Sequence, residues 1–316
     1  MELFVESNNK IYDLTGLCTE LTWTDSLNDG AGSLEFSYIA DDAVKIDNGS
    51  IVRLTTNDQT KGIFYGYVFR ISMSDNKVVN IKAYDCLRYC KTKDTIVVEG
   101  DTLNSLVLKM CSFFGFNIGE IKDTGYTLAD NVHTDKTWLD IIYTAISDTL
   151  IATEHYYCIR DECGTVCLRD CEDLQMPLVI GDKSMCTEYS YDKSIDDDFY
   201  NRIKLVSSNE STGHADVYIT YDSESVDKYG LLQYYEVLGE NSDKEKAKDK
   251  AEKLLKLYNR ECEELTLTCL GDIDVRAGCM IYGDIKDIEL NRCLIIQKAT
   301  HTFIPVHTMS LEVMLA

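Results

Sequence analysis

An apolar–polar alternation between positions 34 and 83 constrains this chain more than any other feature. Leu34, Phe36 and Tyr38 alternate with Glu35 and Ser37. Val52 and Leu54 follow Gly49-Ser50. Tyr67, Phe69, Ile71 and Met73 share one face of a long strand. Ser74-Asp75-Asn76-Lys77 then reverses the chain, and Val79, Ile81 and Ala83 share a face on the return. A side-chain period of two belongs to extended backbone, and polar turns between such runs belong to antiparallel strands. Several strands in series, with no helical stretch between them, predict a small barrel or sandwich over residues 1–98. The 20 tyrosines and 9 phenylalanines suit half-buried pleated surfaces.

Residues 99–180 change period and read as a small α/β module. Leu103, Leu106, Val107, Met110, Cys111 and Phe114 mark a helix with one buried stripe. Asp101 or Thr102 is placed to cap it and Gly115 to end it. A second helix is expected from Lys136 to about Ser147, with Trp138, Ile141, Ile142 and Ala145 on one side. The strings HYYCIRDE and TVCLRD around Cys163-Gly164 predict a hairpin.

Residues 181–316 return to strands, interrupted by a helical stretch at about 242–260. Ser242 with Glu245 has capping-box spacing. Ala247, Ala251, Leu254 and Tyr258 form one apolar stripe, and Asp249–Lys253 and Glu252–Lys256 are i,i+4 pairs. A faint internal repeat links the two β regions. Gly49 precedes an apolar strand, Arg70-Ile71-Ser72 follows 21 residues on, and the alternation centred on Ile81 lies 32 on. Gly278 precedes Met280-Ile281, Lys298-Ala299-Thr300 follows 20 residues on, and Leu311 lies 33 on. A duplicated barrel would leave such a trace.

The 316 residues suffice for two or three domains, and 2 prolines leave no Pro-rich linker between them. A net charge of −23 disfavours stable nucleic-acid binding and fits either a soluble surface or an acidic channel wall. No apolar run approaches 18 residues, so no membrane insertion is expected. The start MELFVESNNK has neither the basic nor the apolar region of a signal peptide. Thirteen cysteines, an odd number, then read as reduced, buried thiols.

Candidate chemistry is sparse. Cys158, Cys163, Cys167 and Cys171 cluster in sequence without the paired spacing of a structural zinc site. His133, His155, His214, His301 and His307 are scattered; His301 and His307 flank Pro305 and can converge across a turn. Asp196-Asp197-Asp198 lacks the spacing of a calcium loop and reads as a solvated loop. The stretch Asp227-Lys228-Tyr229-Gly230 and Leu231-Leu232-Gln233-Tyr234-Tyr235 carries no evident chemistry beyond aromatic packing. There is no nucleophile elbow, phosphate loop or dinucleotide fingerprint. The expectation is no catalytic residue, no metal, no cofactor and no enzyme.

Four strings carry a resemblance: KSIDDDFYNRIKL (193–205), DSESVDKYGLLQYY (222–235), GDIDVRAG (271–278) and KATHTFIPVHTMSL (298–311). In these the chain resembles the PBSX-type prophage hub family, grouped with the baseplate hubs of contractile phage tails and late control protein D, from about residue 20 to its end. The resemblance implies a mainly β (α+β) fold. Two tube-type β-barrel domains, 1–98 and 181–316, would flank the α/β module 99–180, with the helical insertion in the second barrel. It implies a homotrimer adapting a sixfold tail tube to a threefold central spike in a contractile phage tail or phage-tail-like bacteriocin. Its partners would be the tube, the spike and other baseplate proteins. Its place would be the baseplate of the particle, assembled in the bacterial cytoplasm. The family places His301 and His307 in its terminal HxF…HxM stretch. A tail-associated peptidoglycan hydrolase is the alternative reading, and a carbohydrate-binding β protein the third.

Overall fold

A computed structural model describes residues 1–181, 184–196, 198–209, 214–239 and 243–315. The chain is mainly β. It opens with β1 (Glu2–Ser7), β2 (Lys10–Asp13), β3 (Cys18–Ser26), β4 (Ser33–Ile39), β5 (Ile51–Thr55), β6 (Gly62–Met73) and β7 (Val78–Tyr84). The alternation read in β4 and β7 is the packing pattern: Leu34, Phe36, Ile81 and Ala83 are buried with Val52 and Leu54 in one core. β6 differs from its expectation. Phe64, Gly66 and Val68 are its inward residues, and a bulge between Val68 and Arg70 against β7 switches the face. Tyr67 and Phe69 therefore do not share a side with Ile71 and Met73. They pack outside against Tyr89 and Tyr84, with ring centroids 5.4–5.6 Å apart. Gly66 is needed at the inward position: a Cβ there would meet the Tyr84 carbonyl oxygen at 2.3 Å.

The middle of the chain has its own core. β8 (Lys93–Val98) is followed by helix α1 (Leu103–Phe114), β9 (Ile118–Ile121), β10 (Asn131–Thr137), helix α2 (Trp138–Thr153), β11 (Tyr157–Asp161) and β12 (Val166–Asp170). Thr102 caps α1 in a box with Ser105, and Gly115 ends it at φ 69°. α2 differs from the sequence reading at both ends: Lys136 lies in β10, and the helix runs past Ser147 to Thr153. β11 and β12 form the expected hairpin, with Cys163 and Gly164 at φ 54° and 88°, both left-handed as a type I′ turn requires.

β13 (Gln175–Gly181) and β14 (Cys186–Ser194) follow. Then come β15 (Arg202–Asn209), β16 (His214–Tyr221), helix α3 (Ser223–Tyr229), β17 (Gln233–Val237) and helix α4 (Lys244–Tyr258). The chain ends with β18 (Cys262–Leu270), β19 (Met280–Ile285), β20 (Leu290–Thr302) and β21 (Thr308–Leu315). Ser242 lies outside the described residues; Asp243 caps α4, its carboxylate accepting from the Glu245 and Lys246 amides at 2.9 and 3.0 Å. Lys253 pairs with Asp249 at 3.1 Å as spaced, whereas Lys256 reaches Glu154 at 2.6 Å rather than Glu252. The stripe Ala247, Ala251, Leu254 is buried on Ile203, Leu205 and Tyr218, and Tyr258 packs at its margin.

The faint repeat corresponds to a duplicated topology. The first set of strands pairs in the order β3-β4-β7-β6-β5 and the second in the order β14-β18-β21-β20-β19; a sixth strand ends each set, β1 antiparallel to β5 but β13 parallel to β19. The backbone bonds repeat as well. The Gly49 amide donates to Val68 O (2.7 Å), and the Val68 amide to Ser50 O (2.9 Å). Likewise Gly278 donates to Ile296 O (2.8 Å) and Ile296 to Cys279 O (3.0 Å). Gly49 and Gly278 sit at φ 87° and 85°. A bulge follows Val68 against β7 and Ile296 against β21. With β2, the two sets form one 13-stranded sheet joined where β20 pairs β3.

The compact units cut across the expected boundaries at 98 and 180. One comprises residues 1–149, 155–190 and 265–316, the other 150–154 and 191–264. The physical reason is that the β14–β18 connection, a hairpin in the first repeat, is expanded here into a self-contained layer of three strands under α4.

Candidate assembly interface

β3 and β20 run antiparallel, with Thr22 to Ser26 opposite Thr302 to Lys298. Trp23 faces His301, and their rings stack at 5.1 Å. His301 is fully buried. Its Nε2 donates to Val275 O at 2.9 Å, so in the neutral ring Nδ1 is the acceptor and takes the His307 Nε2 hydrogen at 3.1 Å. The two histidines thus converge across the turn holding Pro305. Burial holds the His301 pKa down to about 4.

Arg276 joins this stack to the Asp25 carboxylate and to the backbone of Asp161. Its Nε donates to Asp25 Oδ2 at 2.8 Å, its terminal nitrogen to the Asp161 carbonyl at 2.9 Å, and its guanidinium lies 5.1 Å from the Trp23 ring centre. Burial opposes the Arg276 charge, and Asp25, with Asp85 and Glu162 nearby, more than offsets it. Asp85 accepts the Gly32 and Leu87 amides at 2.7 and 3.0 Å. Burial, with Asp161 and Asp25 close by, pushes its pKa well up, and burial raises that of Asp161 too. One buried cation therefore ties the first repeat (Asp25), the second repeat and the middle segment (Asp161) together. Sequence reading missed Trp23, Asp25 and Arg276. The signal was present: Leu21, Trp23 and Asp25 alternate, which sets a carboxylate on a buried face where it needs a cation.

The joint uses up β20 along its length. β19 pairs its first half, through Ile295, and β3 pairs residues 298–302. The counterpart strand β6 is only half used. β5 pairs residues 62–67, and residues 70–73 have β7 alone. Met73 there is 68% exposed. Among the described residues β14, the counterpart of β3, lies at the end of the sheet beside β18, and its residues are largely exposed.

The residues singled out in sequence fall elsewhere. Cys158, Cys167 and Cys171 are buried and Cys163 is exposed in its turn. Burial raises the Cys167 thiol to about 11. His155 stands 3.6 Å from Asp170 and 3.8 Å from Glu172, ion-pair distances; these three are the ligand-type group that comes together among the described residues. His133 lies in β10 opposite Ile96, and His214 opens β16. Asp196 and Asp198 are exposed, and Asp197 lies outside the described residues. The 227–235 stretch does have a structural explanation. Buried Asn201 donates to Gly230 O (2.7 Å) and accepts from the Leu232 amide (2.9 Å). Tyr234 stacks on Tyr258 at 5.5 Å. Among the described residues no helix is long and apolar enough to cross a membrane.

Comparisons with known proteins bear on this arrangement. The chain is 27% identical to YqbQ of Bacillus subtilis (strain 168) over 257 residues, covering 80% of this chain and 78% of that one. It is 26% identical, with the same coverage, to the phage-like element PBSX protein XkdQ of the same strain. Its fold is that of a solved prophage MuSo2 43 kDa tail protein from Shewanella oneidensis, at a TM-score of 0.75, 13% identity and coverage of 100% of this chain and 98% of that one. The family profile described as YqbQ-like matches residues 21–314, and the chain belongs to the YqbQ-like family.

Proposed function

We propose that this chain is the structural, non-enzymatic baseplate hub of a contractile tail or tail-like particle. Three copies close a ring that presents six near-equivalent repeats to the tail tube and threefold features to a central spike. Each repeat contributes a tube-type barrel. The observation that carries the reading is the duplicated five-strand order joined head to tail through β20 and β3. A chain that holds two copies of one ring element needs half as many subunits as the ring has positions. The same arrangement would line the lumen with acidic side chains, since −23 per chain is best spread over outer surfaces and a water-filled channel. Such a wall does not hold a passing polyanion. A reconstruction of the source particle tests this. Three copies at the tip of the tube are expected, and one, two or six would overturn the reading.

A further inference from the structure

The unit around α4 has a sheet face that the described residues leave uncovered. β15 lies between β16, its antiparallel neighbour, and β17, its parallel one. One face is buried, with Ile203 and Leu205 under α4. On the other face Val217, Ile219, Tyr221, Tyr235 and Val237 are 46–64% exposed. We propose that this face docks an amphipathic helix of another protein, one that carries carboxylates beside its apolar stripe. The inference rests on the reading above only in placing that partner in the same particle.

The make-up of the face requires a cover. The open face of an antiparallel pair is ordinarily polar, and parallel pairing belongs with sheets covered on both sides. Here the outward positions are apolar across the register. Val206 stands between Val217 and Val237, and Ile219 and Tyr235 flank Lys204. A sheet that already has a helix on one apolar face is completed by a second helix on the other. Helices α1, α2 and α4 of this chain spend their apolar stripes in their own cores, so a second copy is a poor source of that helix.

Charge identifies the kind of helix. The chain has 54 acidic residues against 31 basic ones, yet no Asp or Glu stands at an outward position of β15, β16 or β17. Arg202 and Lys204 stand there instead. The Lys204 amine lies 5.7 Å from the Tyr235 ring centre, and Arg202 Nε is buried without a hydrogen-bond partner among the described residues. Two residues along a strand separate these cations by about 7 Å, and side chains one helical turn apart stand about 5–6 Å apart. A pair of carboxylates at i,i+4 therefore reaches both cations. Its charge-assisted bonds form as the apolar residues beside them are covered.

Carbodiimide cross-linking of the native particle tests the proposal, because it joins an amine to a carboxylate only where the two touch. Mass spectrometry is expected to find Lys204 joined to an Asp or Glu in a helical stretch of another protein. Acetylation of Lys204 is expected to be about tenfold slower in the particle than on the isolated chain. A particle with three copies of the chain in which Lys204 links to a second copy, links to nothing, or is acetylated at its isolated-chain rate overturns this inference and leaves the ring reading intact. Absence of the chain from the particle overturns both. Lys204→Glu is expected to lower incorporation into particles at least about tenfold, and Lys246→Glu, exposed on α4, to leave it unchanged. Equal effects of the two overturn the proposal. If Lys204→Glu does not fold, cross-linking of the native particle decides.

Discussion

Replacing Arg276 with methionine is expected to cost about 3–5 kcal/mol of unfolding free energy, the range for removing one partner of a buried ion pair. The contacts account for the size. Arg276 makes a charge-assisted bond to Asp25 at 2.8 Å, worth about 1.5–3 kcal/mol, and a bond to the Asp161 carbonyl at 2.9 Å, worth about 1 kcal/mol. Methionine keeps much of the apolar stem, so the cavity term is small. The remainder comes from Asp25, left buried and unpaired beside Asp85 and Asp161. Urea unfolding followed by tryptophan fluorescence is the assay, since Trp23 lies under the guanidinium. A second variant, Asp25→Asn with Arg276→Met, removes both charges and should recover at least half of the loss. A single-variant cost under about 1 kcal/mol, or strict additivity of the two changes, would refute the reasoning.

Three further outcomes are expected. His301 has its pKa held at about 4 against an ordinary 6.5, so between those values the unfolded chain binds more protons than the native one. Stability should be full above about pH 7, fall as pH drops through 6.5, and be lower by about 3 kcal/mol near pH 4 from this group; His301→Gln should flatten that slope in denaturant titrations at pH 4.5 and 7.5. Leu254→Asp should destabilise by about 2–4 kcal/mol because Leu254 is buried on Ile203 and Leu205, whereas Lys250→Ala, which breaks a half-exposed pair with Glu236, should cost within about 1 kcal/mol, as thermal melts would show. All thirteen cysteines should titrate as free thiols in denaturant, and elemental analysis should find no stoichiometric zinc; one retained zinc per chain would point to His155, Asp170 and Glu172.

The sequence made local features legible and long-range ones not. β4 was readable because its neighbours β3 and β7 leave one of its faces in the core along its whole length. The inward face of β6 was not, because its irregularities, at Ile63 against β5 and between Val68 and Arg70 against β7, exist only in the pairing with its neighbours. The Thr102 cap and the Gly115 stop are encoded within a few residues of the helix they bound. Gly49 and Gly278 betrayed the duplication because each occupies a left-handed turn that side-chain-bearing residues resist. Asp25 and Arg276 are 251 positions apart, so no window joins them, although an acid on an apolar face announces that a cation must exist. Residues 191–264 were read as part of a second barrel. Their departure into a separate unit lies inside one strand-to-strand connection, and strand periodicity is the same on either side of it.

In the proposed ring, what is duplicated and what is not divide the labour. The repeated strands occur twice per chain and so present six near-equivalent edges, the symmetry a tube end requires. The segment between β7 and β13 and the unit around α4 occur once per chain, and a three-copy ring shows each of them three times. The β20–β3 joint carries the Trp23–His301 stack and the Arg276–Asp25 pair in its core, and it forms whenever the chain folds. With −23 on each copy, self-repulsion acts against closure of isolated rings most strongly at low salt. Closure is then favoured where the tube and spike add contacts, which couples ring formation to assembly of the tail.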